Sequence, residues 1–212
     1  MLGYIEVKTM LYLNVPYEEK DEAKKLGALW NQSLKTWFIP ASANLSSFKQ
    51  WIEGQHIISS YYYICLSYDP CYKCGKYSPV FAFMIPPDAN VESDNEDEDY
   101  LYGECNLLSD ITNITYSVYD TIKSFTKNYH LDFSYTSRCS YFMNHCIYCN
   151  AKHGEFFLYH EPGGGFFINE VSNIYCVKIN KPFDCYGFPG NPIDENNFSI
   201  LDYGEFSKNI RK

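Results

Sequence analysis

Cys71-Tyr72-Lys73-Cys74-Gly75 and Cys146-Ile147-Tyr148-Cys149-Asn150 are two Cys-x-x-Cys stretches set about 70 residues apart. Two intervening residues let both thiolates of a pair turn toward one ion, with the backbone amides of the knuckle facing the sulfurs. Gly75 and Asn150 follow the pairs directly, and both residue types tolerate the left-handed conformation that closes such a turn. Four thiolates at about 2.3 Å complete a tetrahedral Zn²⁺ site with no position left for water. The expectation is therefore one structural zinc held by Cys71, Cys74, Cys146 and Cys149. Such a site builds structure, contributing on the order of 10 kcal/mol to folding. A dithiol redox centre is a poorer match, because it uses one pair beside a βαβ unit and gains nothing from a second.

Working outward, Tyr61–Tyr68 and Pro79–Pro86 read as apolar strands flanking the first knuckle, half of a zinc ribbon. The second half is preceded by Tyr141-Phe142-Met143 and followed by Glu155–His160, which also reads as strand. Between the halves, Val118, Ile122 and Phe125 share one face of a predicted helix over Ser117–Asn128. The fold class expected is α+β: a small β-α-β-β-α module, then a β-rich domain with a split zinc ribbon. The partition expected is 1–57 for the module, 58–182 for the ribbon domain with an acidic loop at 86–104, and 183–212 as a C-terminal extension.

Of 212 residues, 46% are hydrophobic, with 21 Tyr and 15 Phe, so the chain can bury a sizeable core and is not disordered. The start MLGYIEVK does not read as a signal peptide, and no later run is long enough to span a bilayer. A cytoplasmic chain without membrane contact is expected, and there thiols stay reduced, which favours metal ligation over disulfides for nine cysteines. The formal charge of −9 is unevenly spread. Residues 1–60 hold six Lys and six acids, whereas residues 61–212 hold 11 basic and 20 acidic residues. Seven of those acids, Asp88, Glu92, Asp94, Glu96, Asp97, Glu98 and Asp99, fall between Pro86 and Asp99, which reads as a solvated loop. This balance argues against a whole-protein field that attracts DNA phosphates.

In the first 60 residues, Lys8–Val15 reads as a strand ended by Pro16, and Glu18–Leu26 as a short helix stopped by Gly27. Its acids precede Lys24 and Lys25, as the helix dipole prefers. Leu29-Trp30 and Thr36–Ile39 form a hairpin around Asn31–Ser33, and Leu45–Ile52 reads as a second helix with Leu45, Phe48 and Ile52 on one face. The run Leu13-Asn14-Val15-Pro16-Tyr17, then Lys20–Lys24, Gly27-Ala28-Leu29-Trp30 and Lys35–Pro40 resembles the small uncharacterised domain appended to plasmid-type primases, topoisomerases and antirestriction proteins. It is more distantly similar to the HARP motif of annealing helicases. That resemblance implies association with nucleic acid. Trp30, Trp37 and Trp51 are nevertheless expected in the core, and a neutral module lacks a basic stripe; Lys20, Lys24, Lys25 and Lys35 supply only a local patch. The later residues Asn144-His145-Cys146, Gly154–Phe157 and Glu161–Gly164 resemble an uncharacterised bacterial family whose implied element is a split zinc ribbon.

Other candidates carry less. His145 adjoins a ligand cysteine and is expected beside the metal or at the surface. His153 and His160, seven apart, are too far apart to act as a pair on one helical face. Cys65 and Cys139 precede the two pairs at similar distances, consistent with two similar hairpins, while Cys105, Cys176 and Cys185 follow no pattern. Gly163-Gly164-Gly165 lacks the Lys-Ser/Thr of a phosphate loop, and Phe166-Phe167-Ile168 reads as a following strand, so a hairpin or plain loop is expected. No active site assembles, and a non-catalytic binding protein is expected. Acidity and abundant aromatics suit an immunity- or antitoxin-type inhibitor that contacts a basic toxin or nuclease, where carboxylates stand in for phosphates. Asp94, Glu96, Asp97, Glu98, Asp99, Asp194 and Glu195 are its expected contacts. The alternative is a nucleic-acid accessory module that binds through Lys20, Lys24, Lys25, Lys35 and Trp37.

Overall fold

The computed structural model describes residues 10–40, 43–92, 104–168 and 173–210. Its first unit is a three-stranded antiparallel sheet of β1 (Met10–Leu13), β2 (Leu29–Asn31) and β3 (Thr36–Pro40), in the order β1-β3-β2. Helix α1 (Lys20–Lys25) continues a 3-10 turn, Tyr17–Glu19. Leu13, Ala23, Ala28, Ile39, Phe48 and Trp51 form its own small core. The expected second helix is two 3-10 turns, Leu45–Ser47 and Lys49–Trp51. The buried residues there are Phe48 and Trp51, whose spacing of three suits the tighter helix, while Leu45 is exposed.

The rest of the chain is organised around one large sheet. Its strands are β4 (Gln55–Ser59), β5 (Tyr62–Pro70), β6 (Tyr77–Ile85), β7 (Asn90–Glu92), β8 (Cys105–Ile114), β12 (Ile174–Ile179), β13 (Phe183–Ile193) and β14 (Phe198–Leu201). They lie in the order β14-β12-β5-β6-β8-β13-β4-β7, antiparallel except for the β12–β14 pair. Both faces of its centre are buried. Tyr62, Ile64, Leu66, Phe81, Phe83 and Ile85 point into one core, and Tyr63, Cys65, Val80, Ala82 and Met84 into the other. Burial on both sides explains why β5 and β6 read as continuous apolar runs without alternation. On the first face lie helix α2 (Tyr116–Phe125) and a second small sheet, β11-β10-β9, built from β9 (Tyr129–Ser134), β10 (Cys139–His145) and β11 (Lys152–His153). Phe206 of α4 (Tyr203–Asn209) joins that core. The second face is covered by Leu158 and Tyr159 of α3 (Glu155–Tyr159) and by Phe166.

Several expectations are corrected here. Glu155–His160 is the short helix α3, because Glu155, Leu158 and Tyr159 bury at a helical spacing despite the aromatic run. Phe166–Ile168 is no strand; the Phe166 N–H donates to the Leu158 carbonyl, folding the glycine loop back on α3. Strand β4 crosses the expected boundary at 57/58, and β13 lies between β8 and β4 in the sheet, so residues 183–212 are not an appended extension. The acidic segment is not wholly a loop, since Asn90–Glu92 pairs with β4 at the sheet edge. Asp94 and Glu96–Asp99 lie outside the described residues. Among the described residues, no helix is long and apolar enough to cross a membrane.

Two asparagine side chains join these layers in the same way. Asn144 of β10 accepts from the Phe81 N–H and donates to the Phe81 carbonyl, each at 2.8 Å. Asn113 of β8 accepts from the Tyr12 N–H at 2.7 Å and donates to its carbonyl at 3.1 Å. Each amide thus acts as a short piece of neighbouring strand where a backbone edge would otherwise be buried unpaired. Asn144→Ala should lower unfolding free energy by roughly 2–4 kcal/mol in urea titration, the cost of two orphaned backbone groups.

Glu155 is buried, and burial pushes its carboxyl well above the usual range, with the nearby Asp110 adding to the rise. A raised folded-state pKa means that its contribution to stability is complete below about pH 4, the unfolded carboxyl range, and is lost as pH rises. Glu155→Gln should therefore melt at a higher temperature than the parent at pH 8, with the gap narrowing toward pH 4.

Candidate functional site

The two knuckles are built alike. Cys71 N–H donates to the Lys76 carbonyl at 2.9 Å and Gly75 N–H to the Cys71 carbonyl at 2.8 Å. In the second, Cys146 N–H donates to Ala151 at 2.8 Å and Asn150 N–H to Cys146 at 2.9 Å. Gly75 at φ +71° and Asn150 at φ +57° take the left-handed conformation that the sequence predicts. One knuckle joins β5 to β6 in the large sheet and the other joins β10 to β11 in the small one, so the two hairpins meet across layers. Ile147 N–H donates to Ser78 Oγ at 3.1 Å, and Lys76 Nζ lies 4.8 Å from the Tyr148 ring centre, adding two contacts between them.

The four sulfurs converge. Cys71 Sγ is 3.5 Å from Cys149 Sγ, and Cys74 Sγ is 3.7 Å from Cys146 Sγ, with all four ligand atoms within 4.8 Å. A tetrahedron with arms of about 2.3 Å has edges close to these lengths. Burial raises the Cys146 thiol pKa, but the N–H groups of Tyr148 and Cys149, together with neighbouring thiols, outweigh it and hold the value at about 6. For Cys149 the Ala151 N–H favours the thiolate, yet burial and the adjoining thiols push it up to about 12. Four crowded thiols cannot all ionise without a cation to share, which is what a metal ion supplies. Distances, knuckle amides and donor type all fit a metal ion held with no open coordination position.

His145 does not enter the cluster. It is buried, its Nε2 lies 3.1 Å from Asp132 Oδ2, and its Nδ1 lies 3.1 Å from the Met143 carbonyl. Burial lowers the imidazole pKa, against the pull of Asp132. His130 stacks on it at 4.0 Å with 5° between the rings. His130, Asp132 and His145 could also hold an ion by proximity. Parallel rings, however, do not converge on one point, and Lys152 Nζ already occupies Asp132 Oδ2 at 2.9 Å. That group is a salt-bridged network. Burial raises the Asp132 pKa, but the bonds from Lys152, His145 and the Phe133 N–H overcome it and leave the carboxyl low.

A groove of about 750 Å³ lies between the N-terminal unit and the β9–β10 hairpin. Lys20, Trp30, Lys35, Trp37 and Arg138 line it, with Glu18 contributing one acid. Trp51 is in the core as expected, its Nε1–H donating to Glu19 at 2.6 Å. Trp30 is corrected: it is 47% exposed and packs edge-on against Trp37 at 5.5 Å. The groove thus unites Lys20, Lys35 and Trp37 from the expected nucleic-acid set, whereas Lys24 and Lys25 do not line it. Arg138 was not singled out by sequence; it is the last residue in the turn of a hairpin more than 100 residues away and has φ +57°. Lys35 Nζ donates to Tyr135 OH at 3.0 Å across the same seam, which lowers the phenol pKa.

The acidic set is partly described. Asp194 and Glu195 lie at an exposed 3-10 turn, where Asp194 caps the Asn196 N–H at 2.7 Å. Ile193 pairs directly with Cys105, and burial together with nearby Cys176, Asp88 and Glu195 raises the Cys105 thiol pKa. Asp88 and Glu195 therefore both lie near Cys105 at the start of β8. Cys65 and Cys176, unrelated by spacing, sit opposite each other on β5 and β12 with their sulfurs 2.7 Å apart.

Residues 10–53 match the family described as Domain of unknown function (DUF5710). Two proteins named DNA primase TraC from Escherichia coli share this part: one is 46% identical over 43 residues, the other 48% identical over 40 residues. The matches cover 20% and 19% of this chain but only 3% and 4% of the relatives. No solved structure matches the chain. Replacing Cys71 and Cys146 together by Ser should remove about one metal ion per chain, read by elemental analysis, and lower the melting temperature. Retained metal would refute the four-sulfur site.

Proposed function

We propose that this chain is a non-catalytic nucleic-acid-binding accessory protein that holds single strands in the groove between its N-terminal unit and the β9–β10 hairpin. The observation that carries this is the meeting of Trp30 and Trp37 with Lys20, Lys35 and Arg138 in one cleft. Aromatic faces stack bases of any identity, and cations alongside them track the phosphates. The domain shared with DNA primase TraC supports the same reading. The overall charge of −9 is not the charge of the groove, where Glu18 is the only acid among the described lining residues. The ion of the four-cysteine cluster is zinc in this reading, as suits four thiolates with no open position. Its role is to clamp the β5–β6 and β10–β11 hairpins, the second of which shares β10 with the hairpin that forms one wall of the cleft.

The test is fluorescence anisotropy with a labelled single-stranded oligonucleotide at low salt. Trp30→Ala, Lys35→Glu and Arg138→Glu should each weaken binding by about tenfold, within the range of a stacked base or a phosphate contact. Affinity of the parent should fall steeply with added salt. Equal binding by parent and variants would overturn the groove.

One observation favours a second reading. The Asp194–Glu195 turn and Asp88 both lie near Cys105, which puts described acids from two acid-bearing stretches beside one strand end. Such a face suits contact with a basic nuclease or toxin, as expected from composition. Asp194→Lys with Glu195→Lys should abolish co-purification of such a partner and leave strand binding intact.

A further inference from the structure

Asp69 and His153 form a buried pair that the groove does not use. Asp69 lies two residues before Cys71, and His153 follows the second knuckle, so the convergence of the knuckles brings them together across 84 residues. His153 Nδ1 lies 2.7 Å from Asp69 Oδ2, and Asp69 Oδ1 accepts from the Gly165 N–H at 3.2 Å. In the neutral imidazole a carboxylate at Nδ1 fixes the proton there, which leaves Nε2 as an acceptor. That Nε2 is buried and has no hydrogen-bond partner among the described residues.

His153 lines a cavity of about 680 Å³, a size typical of small-ligand sites. Its walls include the rings of Tyr72, Tyr135 and Phe157, all largely exposed, and that of Tyr141. Tyr72 stands between Cys71 and Cys74, so the metal clamp positions it. The glycine loop closes another side: a Cβ on Gly164 would fall 2.1 Å from the Phe157 carbonyl, so the loop packs against α3 only without one. Nε2 itself is screened from solvent, so an occupant that bonds to it must displace the side chains covering it and present a flat apolar ring and an N–H or O–H donor.

Tyr135 connects this cavity to the groove. Its ring lines the cavity, and its hydroxyl accepts from Lys35, which lines the groove. Lys152 lines the cavity too, 5.7 Å from the same ring. Two cations, Lys35 on the groove side and Lys152 on the cavity side, thus flank the one ring. We propose that the cavity is a nucleobase pocket, in which an exocyclic amine donates to His153 Nε2 while the ring packs on the aromatic walls. The choice of ligand rests on the nucleic-acid reading of the adjoining groove. The base is either that of a free nucleotide or one turned out of a bound strand.

Calorimetry on the full-length, metal-loaded protein tests this with adenosine monophosphate and with purine riboside monophosphate, the same ring without its amine. A pocket built around an acceptor rejects the analogue that cannot donate. The parent should bind adenosine monophosphate at least tenfold more tightly than the analogue. His153→Gln, which can still donate to Asp69, should erase that difference, and Tyr72→Ala, a change at an exposed ring, should weaken both ligands severalfold. Equal affinities in the parent would overturn the pocket, as would binding of a tryptophan-bearing peptide but not of either nucleotide. Trp30→Ala separates the two readings, since it should weaken a strand and leave the nucleotide unaffected. Strand binding without nucleotide binding sinks the pocket alone; nucleotide binding without strand binding supports the pocket and sinks the groove. Displacement of the strand by adenosine monophosphate assigns the base to a strand, and lack of competition assigns it to a free nucleotide.

Discussion

Four cysteine sulfurs drawn from two sheets are the constraint on which this molecule depends. The knuckle between β5 and β6 belongs to the large sheet, and the knuckle between β10 and β11 to the small one. Bringing them together closes a loop of more than 70 residues, whose entropic cost is modest compared with what a thiolate-bound ion returns. Everything near that junction inherits its position from it. Tyr72, Asp69, Lys152 and His153 all lie within a few residues of a ligand, so the cavity they form exists only while the knuckles meet.

The junction is reinforced by polar groups that are satisfied with little redundancy. Asn144, one residue before His145, takes both backbone groups of Phe81, and Ser78 Oγ receives the Ile147 N–H. Beside the same core Asn113 holds Tyr12, which ties the N-terminal unit to β8. Side-chain amides can do this because each carries a donor and an acceptor at the separation of a peptide group. The consequence is that the groove and the cavity have walls from separate units held in register by a few buried hydrogen bonds. The groove uses Trp30 and Lys35 from one unit and Arg138 from another, and Tyr135 stands where they meet.

Local chemistry was legible wherever a few adjacent residues decide the outcome. The left-handed turns at Gly75 and Asn150, the α1 segment with its acids before its lysines, and the strands β5 and β6 follow from residue type and order. Errors arose where packing overrode propensity. The run Phe156-Phe157-Leu158-Tyr159 has strand-forming residues, but Leu158, Tyr159 and Glu155 fit the second core as one helical turn. Leu45–Ile52 has helical spacing, but the small core accepts Phe48 and Trp51 and leaves Leu45 outside. Residues 183–212 looked appended because nothing local indicates that β13 inserts between β8 and β4.

By itself, the sequence determined the four cysteines that could hold a metal ion, the knuckle turns, the mixed α+β class and the relationship of residues 10–53 to a domain also carried by a primase. These depend on contiguous residues whose geometry is set within a turn or two. Only the tertiary structure decided which side chains share a site. Asp69 with His153, Lys35 with Tyr135, Trp30 with Arg138 and Cys65 with Cys176 are separated by 84 to 111 residues. Their meeting follows from strand order and from the docking of one sheet on another, which no local pattern encodes. The two Cys-x-x-Cys stretches announced a clamp; the fold determined what the clamp brings together.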